Sequence, residues 1–210
     1  MNRLNLGCGT QVIPGYENID YSPNVILSRL PALKGLLRRL NIIKEPHMVS
    51  FPKEIRWMSL PGGLTRYPDA SCDRIYTSHF LEHLTRADAL ATLAHCHRLL
   101  CAGGLLRVVL PDTVLAARKY LRETERLIEG KQPSSAARDE FARHLASAYF
   151  EGHRAGHRYL WDEPSLRAAL RELGFSSIEL SAFREGRDPT MAAHDNRGED
   201  QDSLYLEAVR

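Results

Sequence analysis

Short apolar runs alternate with longer amphipathic stretches along this chain. Residues 3–6 (RLNL) form a brief run that stops at a glycine turn, as a buried strand does. Residues 16–20 predict a second strand, 55–59 a weaker third and 74–77 a fourth. Residues 105–110 (LLRVVL), stopped by Pro111, give the clearest strand, and 177–183 and 204–209 complete the set. Helical spacing fills the intervals. Thr85, with Asp88 three residues on, reads as a capping box, after which Leu90, Leu93, Ala94, His97 and Leu100 share one face. Gly103-Gly104 predicts the end of that helix. A second helix is predicted over 112–129, with Val114, Ala117, Leu121, Thr124 and Ile128 at helical spacing and Gly130 following. A third is predicted near 135–150. A fourth starts at Asp162, with Pro164 in its first turn and Gly174 at its end.

Strands separated by helical crossovers imply an α/β fold, a doubly wound, mostly parallel seven-stranded sheet covered on both faces. The polar loop 184–202 joins the last two strands without a predicted helix, which implies an antiparallel last strand. Ligands of such sheets bind beyond the carboxyl ends of the strands. Any site is therefore expected from residues 7–15, 21–54, 78–85, 111–161 and 184–202. With 210 residues the chain is long enough for one domain over 1–210, with substrate-side insertions near 21–54, 111–161 and 184–202. Apolar residues at 43% and charged residues at 26% argue against a disordered chain. No apolar run reaches the ~20 residues of a membrane helix. A net charge of +2 is too small to imply nucleic acid, and no such partner is expected. Cys8, Cys72, Cys96 and Cys101 form no CxxC pair, and MNRLNLGCGT has no signal-peptide core. Reduced thiols and a cytoplasmic location are the expectation.

Gly7-Cys8-Gly9 follows the first strand directly, and glycine there lets backbone approach a ligand closely. Asp20 ends the second strand, where a carboxylate can accept both hydroxyls of a ribose. A dinucleotide fingerprint needs a third glycine, but Val12 stands there. It also needs a helix facing the pyrophosphate and an acidic residue ~20 positions on. Asp20 follows Gly9 too soon, and Pro14-Gly15 leaves no room for that helix. The spacing disfavours a diphosphate, and with it a nicotinamide enzyme. It suits a nucleoside without phosphates, of which S-adenosylmethionine (SAM) is the common case.

LNLGCGTQVIPGYENID, YPDASCDRIYTSHFLEHL and LLCAGGLLRVVLPD resemble successive motifs of class I SAM-dependent methyltransferases. The pattern is similar to that of a short bacterial group which begins at the first strand, as do HRYLWDEPSLRAALRELGF and SLYLEAVR. The resemblance implies a Rossmann-like methyltransferase fold and SAM as cofactor. It implies that Gly7, Cys8 and Gly9 line the methionine and ribose, that Asp20 binds the ribose, and that Met58 and Ser59 edge the adenine. Ser78 and His79 would lie beneath the sulfonium. Asp112, in the matching Pro-Asp, becomes a substrate-side candidate. Asn5 stands where an acidic residue often precedes the first glycine, and Trp57-Met58-Ser59 replaces the usual acidic residue after the third strand. These gaps leave a non-catalytic SAM-binding protein as an alternative. The group is similar to enzymes of surface-polysaccharide and glycoconjugate synthesis, which implies a small-molecule or saccharide acceptor methylated on oxygen or nitrogen.

His79-Phe80-Leu81-Glu82-His83 reads literally as HxxEH, a zinc-peptidase pattern, but it begins at a strand end rather than inside a long helix. The segment is similar to the ExxEH of ubiquinone-type and small-RNA 2′-O-methyltransferases, with His157-Arg158-Tyr159-Leu160-Trp161 resembling their later motif. That likeness implies a divalent-metal-dependent O-methyltransferase with His79, Glu82, His83 and His157 as ligands. The plainer alternative has no metal, with Glu82 and His83 capping the next helix. His153 and His157 fall in the substrate-side region, and a histidine with pKa near ~6.5 can take a proton from an acceptor. His79 and His157 are the candidate bases. Residues 27–44 (LSRLPALKGLLRRLNIIK) are basic and amphipathic. They form either a lid in contact with an anionic or lipid-linked substrate, or a helix covering the sheet with a solvated basic face.

Overall fold

Alternation along each strand decides which side chains meet which face of a sheet. The computed structural model describes residues 1–43, 49–130, 157–196 and 203–210, Leu127 by its backbone alone. Seven strands form one sheet: β1 (Asn2–Leu6), β2 (Glu17–Asp20), β3 (Ile55–Trp57), β4 (Cys72–Ser78), β5 (Leu100–Pro111), β6 (Ser176–Ser181) and β7 (Ser203–Val209). Their order is β3-β2-β1-β4-β5-β7-β6. Pairing is parallel from β3 through β5, and β7 runs antiparallel to both β5 and β6. The expected doubly wound α/β sheet with an antiparallel last strand is what forms.

One sheet face presents Leu4, Leu6, Ile19, Ile75, Leu106, Val108 and Leu206 to a large apolar core. Two helices cover it, α3 (Arg86–Leu99) and a later helix, Glu163–Glu172. The Thr85 hydroxyl accepts from Asp88 N and starts α3; Asp162 and Ser165 close a reciprocal capping box on the later helix. Trp161, 2% exposed, fills the space beside them.

The opposite face is polar. Asn5, Asn18, Tyr76, Arg107 and Glu207 are all buried there. No helix follows β1. The asparagines instead satisfy the backbone of the connection to β2: Asn18 accepts from Ile13 N (2.9 Å) and donates to Ile13 O and Tyr16 O, while Asn5 Nδ2 donates to Asn18 Oδ1 (3.0 Å). The side chain of Ile13, fully buried, closes the face together with Tyr76, Val109, Met191 and Tyr205.

Met191 comes from the 184–196 loop, which contains a short helix (Pro189–Ala192) where none was expected. Arg107 fastens the loop. Its guanidinium grips both oxygens of Asp195 and donates to Glu207 Oε1 (2.8 Å), Ser181 Oγ (2.9 Å) and the carbonyls of Ala182 and Glu185. Arg74 Nε reaches Asp188 Oδ2 (2.6 Å). Burial opposes the charge on Asp188, yet Thr190, Arg74 and the Met191 N–H hold its pKa down to about 2. This attachment contributes above the ordinary carboxylate range and is lost only as pH falls through that low value.

Three expectations need correction. The buried face of α3 is Ala89, Thr92, Leu93, Cys96 and Leu99, rotated from the predicted stripe. The rotation follows from two causes: the helix runs straight into β5 at Leu100, and Thr92 is tolerated inside because its hydroxyl bonds Asp88 O (2.8 Å). Gly103-Gly104 lies within β5 rather than at a helix end. Gly103 N donates to Arg210 O and Arg210 N to Gly104 O, with Gly103 in the left-handed region (φ 74°). The helix predicted over 112–129 is present as α4 (Thr113–Ile128), with Val114, Leu121 and Ile128 exposed; a short helix, Pro189–Ala192, is the third correction, since none was predicted in the 184–202 loop. The helix predicted near 135–150 and His153 lie outside the described residues.

Arg107→Ala leaves two carboxylates buried without their cation. We expect a loss of about 3–5 kcal/mol, read from denaturant midpoints at unchanged slope. A loss below about 1 kcal/mol would show that Arg107 does not anchor the loop.

Candidate active site

The turn after β1 is built by two glycines with different tasks. Both have positive φ, 64° at Gly7 and 54° at Gly9. A Cβ on Gly7 would stand 2.1 Å from Phe80 Cγ, so the Phe80 ring seals this side of the turn. A Cβ on Gly9 would meet nothing within 4 Å. The backbone at Gly9 is therefore open to close approach by a ligand. Between them, Cys8 N extends the strand ladder to Ile19 O (3.1 Å). The Cys8 side chain turns inward against Val25 and Ile55, so only its backbone faces the turn. Burial, then the charge of Asp20, pushes its thiol up to about 12, which keeps it protonated and unreactive.

Asp20 ties the turn to β2. Its Oδ2 accepts from Gly9 N (2.8 Å) and its Oδ1 from Ser22 N (2.7 Å). The backbone N–H of Tyr21 also acts on this carboxylate. Burial raises its pKa; the N–H groups of Ser22 and Gly9 and the proximity of His83 oppose that rise. Trp57 pairs in register with Asp20 at the end of β3. Its ring is 43% exposed, and its indole N–H donates to Tyr21 O (3.1 Å). Sequence reasoning met Trp57 only as a departure from the usual acidic residue, not as a site residue; the available signal was an aromatic residue at the carboxyl end of a strand beside the carboxylate. Met58 is 3% exposed and packs into the core near Gly63, while Ser59 is exposed. A cavity of about 430 Å³ adjoins the turn, lined by Thr10, Gln11, Arg184, His194 and Asn196 among others.

Beyond β4 the chain bends sharply at His79, a non-glycine residue in the left-handed region (φ 48°). The bend places its ring between two groups: Nε2 lies 3.0 Å from Ser203 Oγ and Nδ1 3.4 Å from Glu82 Oε1. A carboxylate at Nδ1 favours the proton there and leaves Nε2 as the basic nitrogen. Ser78, at the end of β4, is half-buried. Leu81–His83 forms a single 3₁₀ turn, so HxxEH does not sit on a helix and the peptidase geometry is absent. Thr85, not Glu82 or His83, caps α3.

Glu82 is 2% exposed, and neither carboxylate oxygen accepts a hydrogen bond among the described residues. Its backbone carbonyl accepts from Arg158 N (2.7 Å) and Tyr159 N (3.3 Å), which draws the later motif onto this turn. The rings of His157 and His83 meet edge to face at 5.0 Å. One ligand atom each from Glu82, His83 and His157 lies within 4.8 Å of the others. The structure thus gathers three of the four predicted ligands, with His79 touching the carboxylate from the other side. Asp112 stands apart: its Oδ1 accepts from Leu115 N (2.9 Å) and caps α4.

Comparison with known proteins identifies the family and the fold. Residues 4–180 match the model of a family described as a methyltransferase domain. A SAM-dependent methyltransferase from Archaeoglobus fulgidus shares the fold at 13% identity and TM-score 0.52, covering 100% of this chain and 86% of that one. A SAM-dependent methyltransferase from Thermotoga maritima, described as a possible histamine N-methyltransferase, does so at 13% identity and TM-score 0.52, covering 99% of this chain and 81% of that one. No curated protein matches the chain in sequence.

Alanine at Gly7 and at Gly9 separates packing from openness. Both substitutions carry backbone strain of about 1–2 kcal/mol, and only Gly7→Ala adds overlap with Phe80. Thermal unfolding should show a much larger fall in midpoint for Gly7→Ala; equal falls would contradict the ring contact.

Proposed function

The chain belongs to the methyltransferase-domain family, and from that premise we propose that it transfers the methyl group of SAM to an oxygen or nitrogen nucleophile. The observation that carries this reading is the Asp20 carboxylate, tied to the open Gly9 turn at the end of β2. A carboxylate there accepts from ribose hydroxyls. The half-exposed indole of Trp57 offers a flat apolar surface beside it for the adenine, with backbone at Met58 and Ser59 along the edge. SAM supplies, when bound, an electrophilic methyl on a sulfonium. The chain's task is to hold an acceptor at ~3–3.5 Å in line with that methyl and to remove the acceptor's proton.

His79 fits the proton-accepting role, because its ring lies between the Glu82 carboxylate, 3.4 Å from Nδ1, and Ser203 Oγ, 3.0 Å from Nε2. Its bond with Ser203 must open or be shared when an acceptor arrives. His157 is a second base at the same end of the sheet. Asp112 has one oxygen committed to the helix cap and offers the other to an acceptor. A sugar hydroxyl is the preferred acceptor, on the resemblance to glycoconjugate-modifying enzymes.

A second reading is favoured by the grouping of Glu82, His83 and His157. A buried carboxylate without a hydrogen-bond donor beside two imidazoles suits a divalent cation, and two nitrogen ligands favour zinc, manganese or iron over magnesium. A bound ion would polarise the acceptor hydroxyl, making this an O-methyltransferase of the metal-assisted kind.

Each reading has its own test. In calorimetric titration the native chain should bind SAM and not NADH. Asp20→Ala should weaken SAM binding on the order of 100-fold, since two hydroxyl bonds to a charged acceptor are lost. Unchanged affinity in a folded variant would refute the cofactor placement. For the second reading, elemental analysis after equilibration with zinc or manganese should find about one ion per chain, and none in His83→Ala. A native chain that takes up no metal yet methylates fully in the presence of a chelator would remove it.

A further inference from the structure

Amphipathic helices of globular proteins turn their apolar stripe to the core. The helix α2 (Pro31–Arg39), which follows α1 (Pro23–Leu27), does the reverse. Its one buried residue is Lys34, 8% exposed, whose Nζ donates to Val49 O (3.1 Å). Two of its three leucines face outward, Leu33 at 42% and Leu36 at 53% exposed, and Leu37 is half-buried. Leu30 (46%) before the helix and Leu40 (59%) and Ile42 (63%) after it continue the same surface. Leu33, Leu36 and Leu40 recur at helical spacing, so they form one stripe rather than scattered exposures. A contiguous exposed apolar surface marks an interaction site.

Charge says what it meets. Between Tyr21 and Ile43 the chain carries no acidic residue, and of its four cations Lys34 and Arg29 are turned onto backbone carbonyls while Arg38 and Arg39 are exposed beside the stripe. Two copies packed stripe to stripe would bring these cations together, which disfavours self-association. An anionic lipid surface supplies both complements, acyl chains for the leucines and phosphates for the cations. We propose that α2 lies in the plane of an anionic bilayer, with its leucine stripe at the level of the acyl boundary. No described helix is long and apolar enough to cross a membrane, so the attachment is peripheral. The proposal is independent of the methyl-transfer reading. If both hold, α2 follows Asp20 by a short link and brings the site to a surface from which a lipid-carried acceptor can enter.

Co-sedimentation of the full chain with vesicles tests this. Phosphatidylcholine vesicles containing phosphatidylglycerol should pellet the protein, and pure phosphatidylcholine vesicles should not. Binding should weaken with added salt. Leu36→Glu with Leu40→Glu should reduce it about tenfold or more, and Arg39→Gln about fivefold. Circular dichroism and SAM affinity should stay at native values in these variants, which keeps the result separate from the fate of the active site. Failure to pellet with phosphatidylglycerol, or pelleting unaffected by the leucine changes, overturns the proposal. So does a dimer in analytical ultracentrifugation that the same leucine changes dissolve, because the stripe is then an interface between copies.

Discussion

The connection between β1 and β2 has no room for a helix, and much of the structure answers that fact. Parallel neighbours are ordinarily joined by a crossover that covers one sheet face. Here residues 7–16 return almost at once, and their backbone polar groups would be stranded over the sheet. Asn18 and Asn5 resolve this from within the strands, accepting from Ile13 N and donating to Ile13, Tyr16 and Gln11 carbonyls. Buried amides are tolerated because each is spent on backbone that nothing else would satisfy. The remaining face is closed from the far end of the sequence, by Met191 and the loop that Arg107 holds. A single missing helix thus explains a polar strand interior, a buried arginine and the way residues 182–196 are held onto the sheet after β6.

The same economy shapes the site. Because the turn is short, Gly9 stays within hydrogen-bond reach of Asp20, and Phe80 can press on Gly7. The ends of β1, β2 and β4 are thereby locked to one another before any ligand arrives. Asp20 is the strained member. Burial raises its folded pKa above the ordinary carboxylate value. A carboxyl group so shifted contributes stability when protonated and loses it as pH rises through the raised value. At neutral pH the ionised group therefore opposes folding, a cost in keeping with the cofactor-binding role proposed for it.

The strands were legible because period-two alternation and the glycine and proline stops are local properties. Arg107 was readable as part of LLRVVL but not as an ion-pair centre, since Asp195 and Glu207 join it only through β7 and its preceding loop. Helix faces were less legible. Thr92 and Cys96 look neutral in sequence, yet both are buried in α3. Gly103-Gly104 mimics a helix cap because a strand irregularity needs the same positive φ. Within the site, the Gly7–Gly9 turn and Asp20 could be read from spacing alone. Trp57 and the Ser203–His79 contact could not, because register between distant strands creates them.

Glu82 sets the electrostatics of the acceptor end. A carboxylate 2% exposed with no hydrogen-bond donor among the described residues is costly unless a positive charge lies near it. Three sources of that charge converge on this place: a protonated His79 at 3.4 Å, a cation held with His83 and His157, or the sulfonium of SAM over the adjacent turn. In the proposed methyl transfer, SAM would lose its sulfonium charge as the methyl leaves, and the acceptor would release its proton in the same event. If His79 takes that proton, positive charge passes from cofactor to imidazole while Glu82 stays put. The carboxylate then favours the state after transfer as much as the state before it. A buried acid that looks unsatisfied in isolation is, on this argument, a fixed counter-charge for a cation that moves during the reaction.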